Sequence, residues 1–432
     1  MFSRRRVPDG YECRRPQEDV ELLENCLQAF ESFVLRCPKE IGPHLDSIVK
    51  ISIQFCKYDP NYADEDEDED EEMMDEDEDE DEYSDDGDYS GDDDSSWKVR
   101  SASVKCLGAV IRSRSEMLHA LYNTAMPQLL LRFREREEIV KMEVFTAFKD
   151  LLRQSQTHAQ TEDAMDHDAP GGVHSVVAQM LDVDKVVKVV MKQLKEKSFR
   201  TKERCFELLR ELILILDGGL TAYLPSFIPD LEKSVEKTAK ASLKIEALLL
   251  LSLILEKHKG ADFGTYTKKL GPSILLCVAD SNYKISAVAL KVCGKIACTG
   301  TQFSSGDAII SDMYQATYLR LSSQDQDLEV KESAISTMGL IIAQLADKLK
   351  PEQLNACLPV LLERLKNETT RITTLKALST ISHSSLSVDL SAVCSDTVLE
   401  CSTFLRKNDR ALKQAALTSL NSIVTRYAKQ VC

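Results

Sequence analysis

DLEVKESAISTMGLII fills residues 327–342, and its apolar residues decide the fold. Val330, Ala334, Ile335, Met338, Ile341, Ile342 and Leu345 recur at steps of three and four, which places them on one face of a helix. Ahead of the stripe stand a polar turn and one base, Lys331. The same shape returns seven more times, for instance as SSWKVRSASVKCLGAVI at 95–111 and SNYKISAVALKVCGKIA at 281–297. The bases fall at Arg100, Lys141, Arg200, Lys244, Lys284, Lys331, Arg371 and Lys413, so the steps between them are 41, 59, 44, 40, 47, 40 and 42. One polar stretch with PGG, between Lys141 and Arg200, accounts for the long step. Each copy also follows a second apolar helix that often holds a proline, as in LPSFIPDLEKSV at 224–235 and CLPVLLERL at 357–365.

Two helices per period of about 40 residues is the pattern of HEAT and armadillo arrays. A single pair buries too little apolar surface to stand alone, whereas stacked pairs share a continuous core. We expect an all-α, HEAT/armadillo-like right-handed α-solenoid. Its expected organisation is a disordered basic tail at 1–16 and about eight helix pairs over 17–432. An acidic disordered loop interrupts the array at 59–96, and a polar inter-repeat loop is expected at 154–180. The recurring base has two readings. It could form a ladder for an acidic ligand, or it could cap carbonyls and pair with an acid of the neighbouring repeat inside the stack. The second is favoured.

Residues 64–94 hold 23 acids in 31 positions and no base. Without those 23 acids the chain's net charge of −17 becomes +6, so the low pI reflects one insert. Like charges at this density repel and leave nothing apolar to bury. The favoured reading is a solvated loop with a modest steering role, with a basic partner left open. Asp86, Asp88, Ser90 and Gly91 match the start of a calcium loop, but Trp97 stands where the bidentate glutamate belongs. Ser84 and Ser90, each followed by acids, are candidate sites for an acidophilic kinase.

The chain shows no glycine-rich phosphate loop, HExxH or GxSxG motif. We therefore expect no enzyme activity, no cofactor and no metal site. The 13 cysteines lack a CxxC pair, and Cys26, Cys106, Cys205 and Cys277 read as small buried hydrophobes in a reducing compartment. Few aromatics accompany the basic stretches, which argues against a nucleic-acid surface, and no apolar run is long enough for a membrane span. A monomeric interaction scaffold, cytoplasmic and nuclear, is the physical expectation.

Several segments carry a resemblance. QAFESFVLRCPKEIGPH (28–44), KYDPNY (57–62), DDDSSWKVR (92–100), RFREREEIVK (132–141) and FLRKNDRALKQAAL (404–417) resemble, in this order, the cullin-associated, neddylation-dissociated protein family. The resemblance spans Leu22 to about Leu420. It implies a HEAT-repeat regulator that wraps an unneddylated cullin with its RING subunit and competes with the adaptor and substrate-receptor module. Members of that family are much longer, so the chain resembles a middle portion or a shortened form, and residue-level cullin contacts do not carry over. The alternative is an importin-β-like transport receptor for basic cargo, because such solenoids also carry an acidic loop.

Overall fold

A computed structural model describes residues 16–59, 95–163, 181–258, 263–299, 308–323, 327–386 and 388–431. All regular structure among them is helical. The helices are α1 (Pro16–Arg36), α2 (Leu45–Phe55), α3 (Ser96–Ser113), α4 (Leu118–Leu131), α5 (Glu138–Asp163) and α6 (Val183–Leu194). There follow α7 (Phe199–Leu216), α8 (Leu224–Val235), α9 (Ala241–Lys257), α10 (Gly264–Val278), α11 (Tyr283–Cys298) and α12 (Ala308–Ser322). The series closes with α13 (Leu328–Leu345), α14 (Pro351–Lys366), α15 (Arg371–Ser382), α16 (Ser391–Phe404) and α17 (Arg410–Val431). Among the described residues, the helices after α1 run as eight successive pairs.

The chain forms two compact units, residues 1–189 and 190–432. In the first, α1, α3 and α5 lie side by side as one row, with α2 and α4 beside them. In the second, α7, α9, α11, α13, α15 and α17 form such a row, and α8, α10, α12, α14 and α16 form the other layer. Within each row a helix packs on the next one, one period along the chain, and α3, α5, α9, α11, α13, α15 and α17 also pack on their own pair partners. That is how an α-solenoid shares its core between neighbours.

Local signals set the helix starts. Asn282 and Asp327 accept the N–H of Lys284 and Glu329 at 3.0 and 2.8 Å, satisfying amides that the first turn leaves open. Ser198 does the same for Thr201. The stripe of 330–345 is wholly internal: all seven residues expected in the core are buried. Pro127, Pro229, Pro272 and Pro359 sit inside α4, α8, α10 and α14, where each removes one helical hydrogen bond. One glycine is required by close packing. A Cβ on Gly339 would stand 2.9 Å from the Ala377 Cβ and 3.1 Å from its Cα, so α13 reaches α15 only with hydrogen at that position.

Two expectations need correction. Of the polar stretch expected as a loop at 154–180, residues 154–163 are helical, because α5 runs on to Asp163, and the remainder lies outside the described residues. Gln and Glu are good helix formers, and Ser155 is fully buried, its hydroxyl 2.6 Å from that of Tyr122. A partner 33 positions away thus buries a polar residue of the stretch. Cys26 is the second case. It is exposed, whereas Cys106, Cys205 and Cys277 are buried as expected. Helix α1 carries apolar residues on more than one face, and Cys26 lies off the face that meets α3.

Candidate interaction surfaces

The root of the acidic insertion is the most tightly tied polar site of the first unit. Arg100, in the first turns of α3, is 3% exposed. Its Nε and Nη2 donate to the two carboxylate oxygens of Glu135 at 3.1 and 3.2 Å, a fork-to-fork pair. Its Nη1 donates to the Tyr58 carbonyl at 3.1 Å and to the Ser96 hydroxyl at 2.8 Å. Next to it, Arg136 Nη2 donates to Asp59 at 2.7 Å. Glu135 also accepts the Glu137 N–H at 3.2 Å, which shapes the turn leading into α5. So residues just before the insertion (Tyr58, Asp59), just after it (Ser96, Arg100) and from the next repeat (Glu135, Arg136) meet at one point. Three of the quoted segments, KYDPNY, DDDSSWKVR and RFREREEIVK, converge here. The Arg100 donors and the Glu135 oxygens are used and out of water. The arrangement clamps the chain and leaves no group poised for chemistry.

The recurring base is therefore a structural rung at this position, and at some others. Lys244 is buried, with Nζ 3.4 Å from Asp280 and 3.2 Å from the Lys237 carbonyl. Arg371 is buried too, 5.4 Å from the Phe404 ring and 3.3 Å from Glu368. Arg200 and Lys284 are exposed. A second ladder, which the sequence reading missed, joins helices of the other layer. Arg320 donates to the Val278 and Asp280 carbonyls at 2.8 and 2.9 Å. Arg364 donates to the carbonyls of Leu321, Ser322 and Ser323 at 3.0 to 3.2 Å. Helix ends leave such carbonyls unsatisfied, and here an arginine of the following repeat supplies the donors. The spacing of 44 between Arg320 and Arg364 was the available signal.

In the second unit, α10 and α12 border an open apolar cleft of about 670 Å³, lined by Pro272, Leu275, Leu276 and Ile309 with Lys268 and Asp312 at its edge. Gly271 lets Ile309 approach, since a Cβ there would come within 2.5 Å of its Cδ1. Leu276, Leu319 and Leu399, on α10, α12 and α16, are each about 60% exposed. Surface of this kind suits protein contact rather than catalysis.

Burial pushes the Cys106 and Cys277 thiols up to about 11 and the Cys293 thiol up to about 12. Such thiols stay protonated near neutrality and are poor nucleophiles. No cluster of metal-ligating side chains occurs among the described residues, and no helix among them is long and apolar enough to cross a membrane. Ser84 and Ser90 lie outside the described residues.

The family described as "CAND1-like, TPR repeats" matches residues 218–338. The chain is 42% identical to Cullin-associated NEDD8-dissociated protein 1 of Arabidopsis thaliana, over 96% of this chain and 34% of that protein. It is 40% identical to the Drosophila melanogaster protein of that name, over 95% and 34%. It is 36% identical to Cullin-associated NEDD8-dissociated protein 2 of Mus musculus, over 94% and 33%. The resemblance read from the segments thus extends along almost the whole chain, which spans about a third of the length of these relatives. Among solved structures, a Kap121p mutant and Kap95p each superpose with a TM-score of 0.57 at 12% identity. Each covers 95% of this chain, with 37% and 50% of the neighbour matched, and these likenesses establish the α-solenoid fold alone.

Proposed function

We propose that this chain binds cullin–RING ubiquitin ligases and acts as a partial scaffold in their assembly with adaptor and substrate-receptor modules. One observation carries the reading: identity of 40–42% over about 95% of the chain with proteins named as cullin-associated and NEDD8-dissociated. The geometry supports it. Every polar cluster described above serves to hold repeats together, and the surface offers exposed leucines in rows, as a scaffold requires. The importin-like alternative rests on a shared fold alone.

The proposed partner is the cullin without its NEDD8 modification, together with the RING subunit. A wrapping solenoid gains affinity by linking modest contacts, each later one formed at high effective concentration, and the gain reaches about 10²- to 10⁴-fold. A chain matching a third of its relatives holds only part of that series. It should bind a cullin weakly and leave the adaptor in place.

The test is a pull-down with purified cullin–RING complex, unmodified and NEDD8-modified, followed by competition against labelled adaptor. Capture of the unmodified form only, without adaptor release, is the expected result. Equal capture of both forms, or none at high micromolar concentration, overturns the proposal. Full adaptor displacement at stoichiometric concentration would overturn its partial character.

A further inference from the structure

The turn that leads into α7 and the turn that leads into α9, both within the second unit, share an excess of positive charge. Residues 195–202 hold Lys195, Lys197, Arg200 and Lys202 against Glu196. Residues 233–240 hold Lys233, Lys237 and Lys240 against Glu236. These bases are exposed, except Lys202, which is half-buried. The next turn of the series, 279–284, is balanced, with Asp280 and Lys284. Two observations join the basic turns. Lys240 Nζ lies 3.1 Å from the centre of the Phe199 ring, so the second turn leans on the first. Lys233 from one turn and Lys202 and Lys195 from the other also stand around Asp230, where burial raises the carboxyl and the three ammonium groups oppose the rise.

Several bases along the row of this unit are occupied by an acid of the neighbouring row helix. Arg210 reaches Glu246 at 2.7 Å, Lys295 reaches Glu256 at 2.8 Å and Lys291 reaches Glu329 at 3.0 Å. Among the described residues, Lys195, Lys197, Lys202, Lys233 and Lys237 have no carboxylate within ion-pair distance. Their like charges repel, yet the fold gathers them at one edge of two consecutive repeats. We propose that this edge binds an extended acidic polypeptide segment laid across the turns that enter α7 and α9. Helices packed side by side lie about 8–10 Å apart, and an extended chain advances about 3.3 Å per residue. Carboxylates three residues apart would then meet successive turns. Single-stranded nucleic acid needs exposed rings on which its bases stack. Phe199, the one aromatic of these turns, is half-buried with Lys240 over it. The inference stands apart from the cullin reading, since any acidic segment of that spacing fits.

The probe is a fluorescein-labelled peptide of four Glu-Gly-Ser repeats, followed by anisotropy. It is titrated with the whole chain and with the chain lacking residues 64–94, whose 23 acids repel it. Binding with a Kd of about 10–100 µM is expected at about 0.05 M salt. It should weaken at least about tenfold at about 0.5 M. The variant K197E/K237E should lower the affinity at least about tenfold. K366E/K376E makes the same change of net charge on exposed lysines of α14 and α15, and should leave the affinity within about twofold. Circular dichroism checks that both variants keep native helicity. Binding by either form of the chain, with those two responses, supports the proposal. Equal losses in the two variants would mean that net charge alone draws the peptide, and would overturn it. Absence of binding by both forms up to about 500 µM would overturn it too. Tighter binding of a single-stranded oligonucleotide of equal charge, lost in K197E/K237E, would assign the edge to nucleic acid and overturn the acidic-peptide assignment.

Discussion

Two rungs of the base ladder occupy the same place in the repeat and are built differently. Arg100 reaches Glu135, 35 residues on, and Lys244 reaches Asp280, 36 residues on. In both, a base from an early turn of a row helix meets an acid in the next repeat's inter-helix turn. In both, that acid also accepts a backbone N–H two residues later, from Glu137 or Asn282. At the insertion root, however, the pair is forked and both side chains are 3% exposed. At Lys244 it is a single contact of 3.4 Å, with the Asp280 side chain 21% exposed. A planar guanidinium can bind a carboxylate and still satisfy Tyr58 and Ser96. An ammonium acts as a point charge and cannot fix direction in this way. The repeat beside the long insertion thus carries the more rigid clamp, while an uninterrupted repeat manages with a looser one.

The comparison can be broken most sharply at Glu135. Replacing it by alanine leaves a buried guanidinium without its counter-charge, which costs about 3–5 kcal/mol. Denaturant unfolding followed by circular dichroism should show that loss. A change under about 1 kcal/mol would mean water replaces the carboxylate and the clamp is not rigid. Arg100→Lys keeps the charge and removes the fork, and should cost about 1–3 kcal/mol through the acceptors it abandons. Lys244→Met should cost no more than about 1 kcal/mol, since the contact is single and its acid is partly hydrated. If Lys244→Met proves as costly as Glu135→Ala, the distinction between the two rungs fails.

The smallest effect is expected from the insertion. Deleting residues 64–94 leaves Tyr58, Asp59, Ser96 and Arg100 in place. Loop-closure entropy then changes by only about 1–2 kcal/mol. Helicity and melting temperature should stay close to those of the whole chain. A fall of more than a few degrees would show that the acidic run contributes packing of its own.

The sequence by itself determined the period, the helix pairs and the buried stripe at 330–345, because helical spacing of apolar residues is a local property that a single strand of text displays. It also placed the acidic run between two helices of one repeat, and it carried the family resemblance. Only the tertiary structure decided which bases became rungs. Arg100, Lys244 and Arg371 are buried, and Arg200 and Lys284, at the same place in the pattern, are exposed. The extra helical turns of α5, the exposure of Cys26 and the Arg320 and Arg364 carbonyl ladder were decided there too. A base is worth burying only if an acid or a row of open carbonyls lies against it, and the partner here stands 35 to 43 residues away in an adjacent repeat. Apolar burial is set by the face of a residue's own helix, but polar burial is set by the neighbour across the stack, which spacing along one helix does not encode.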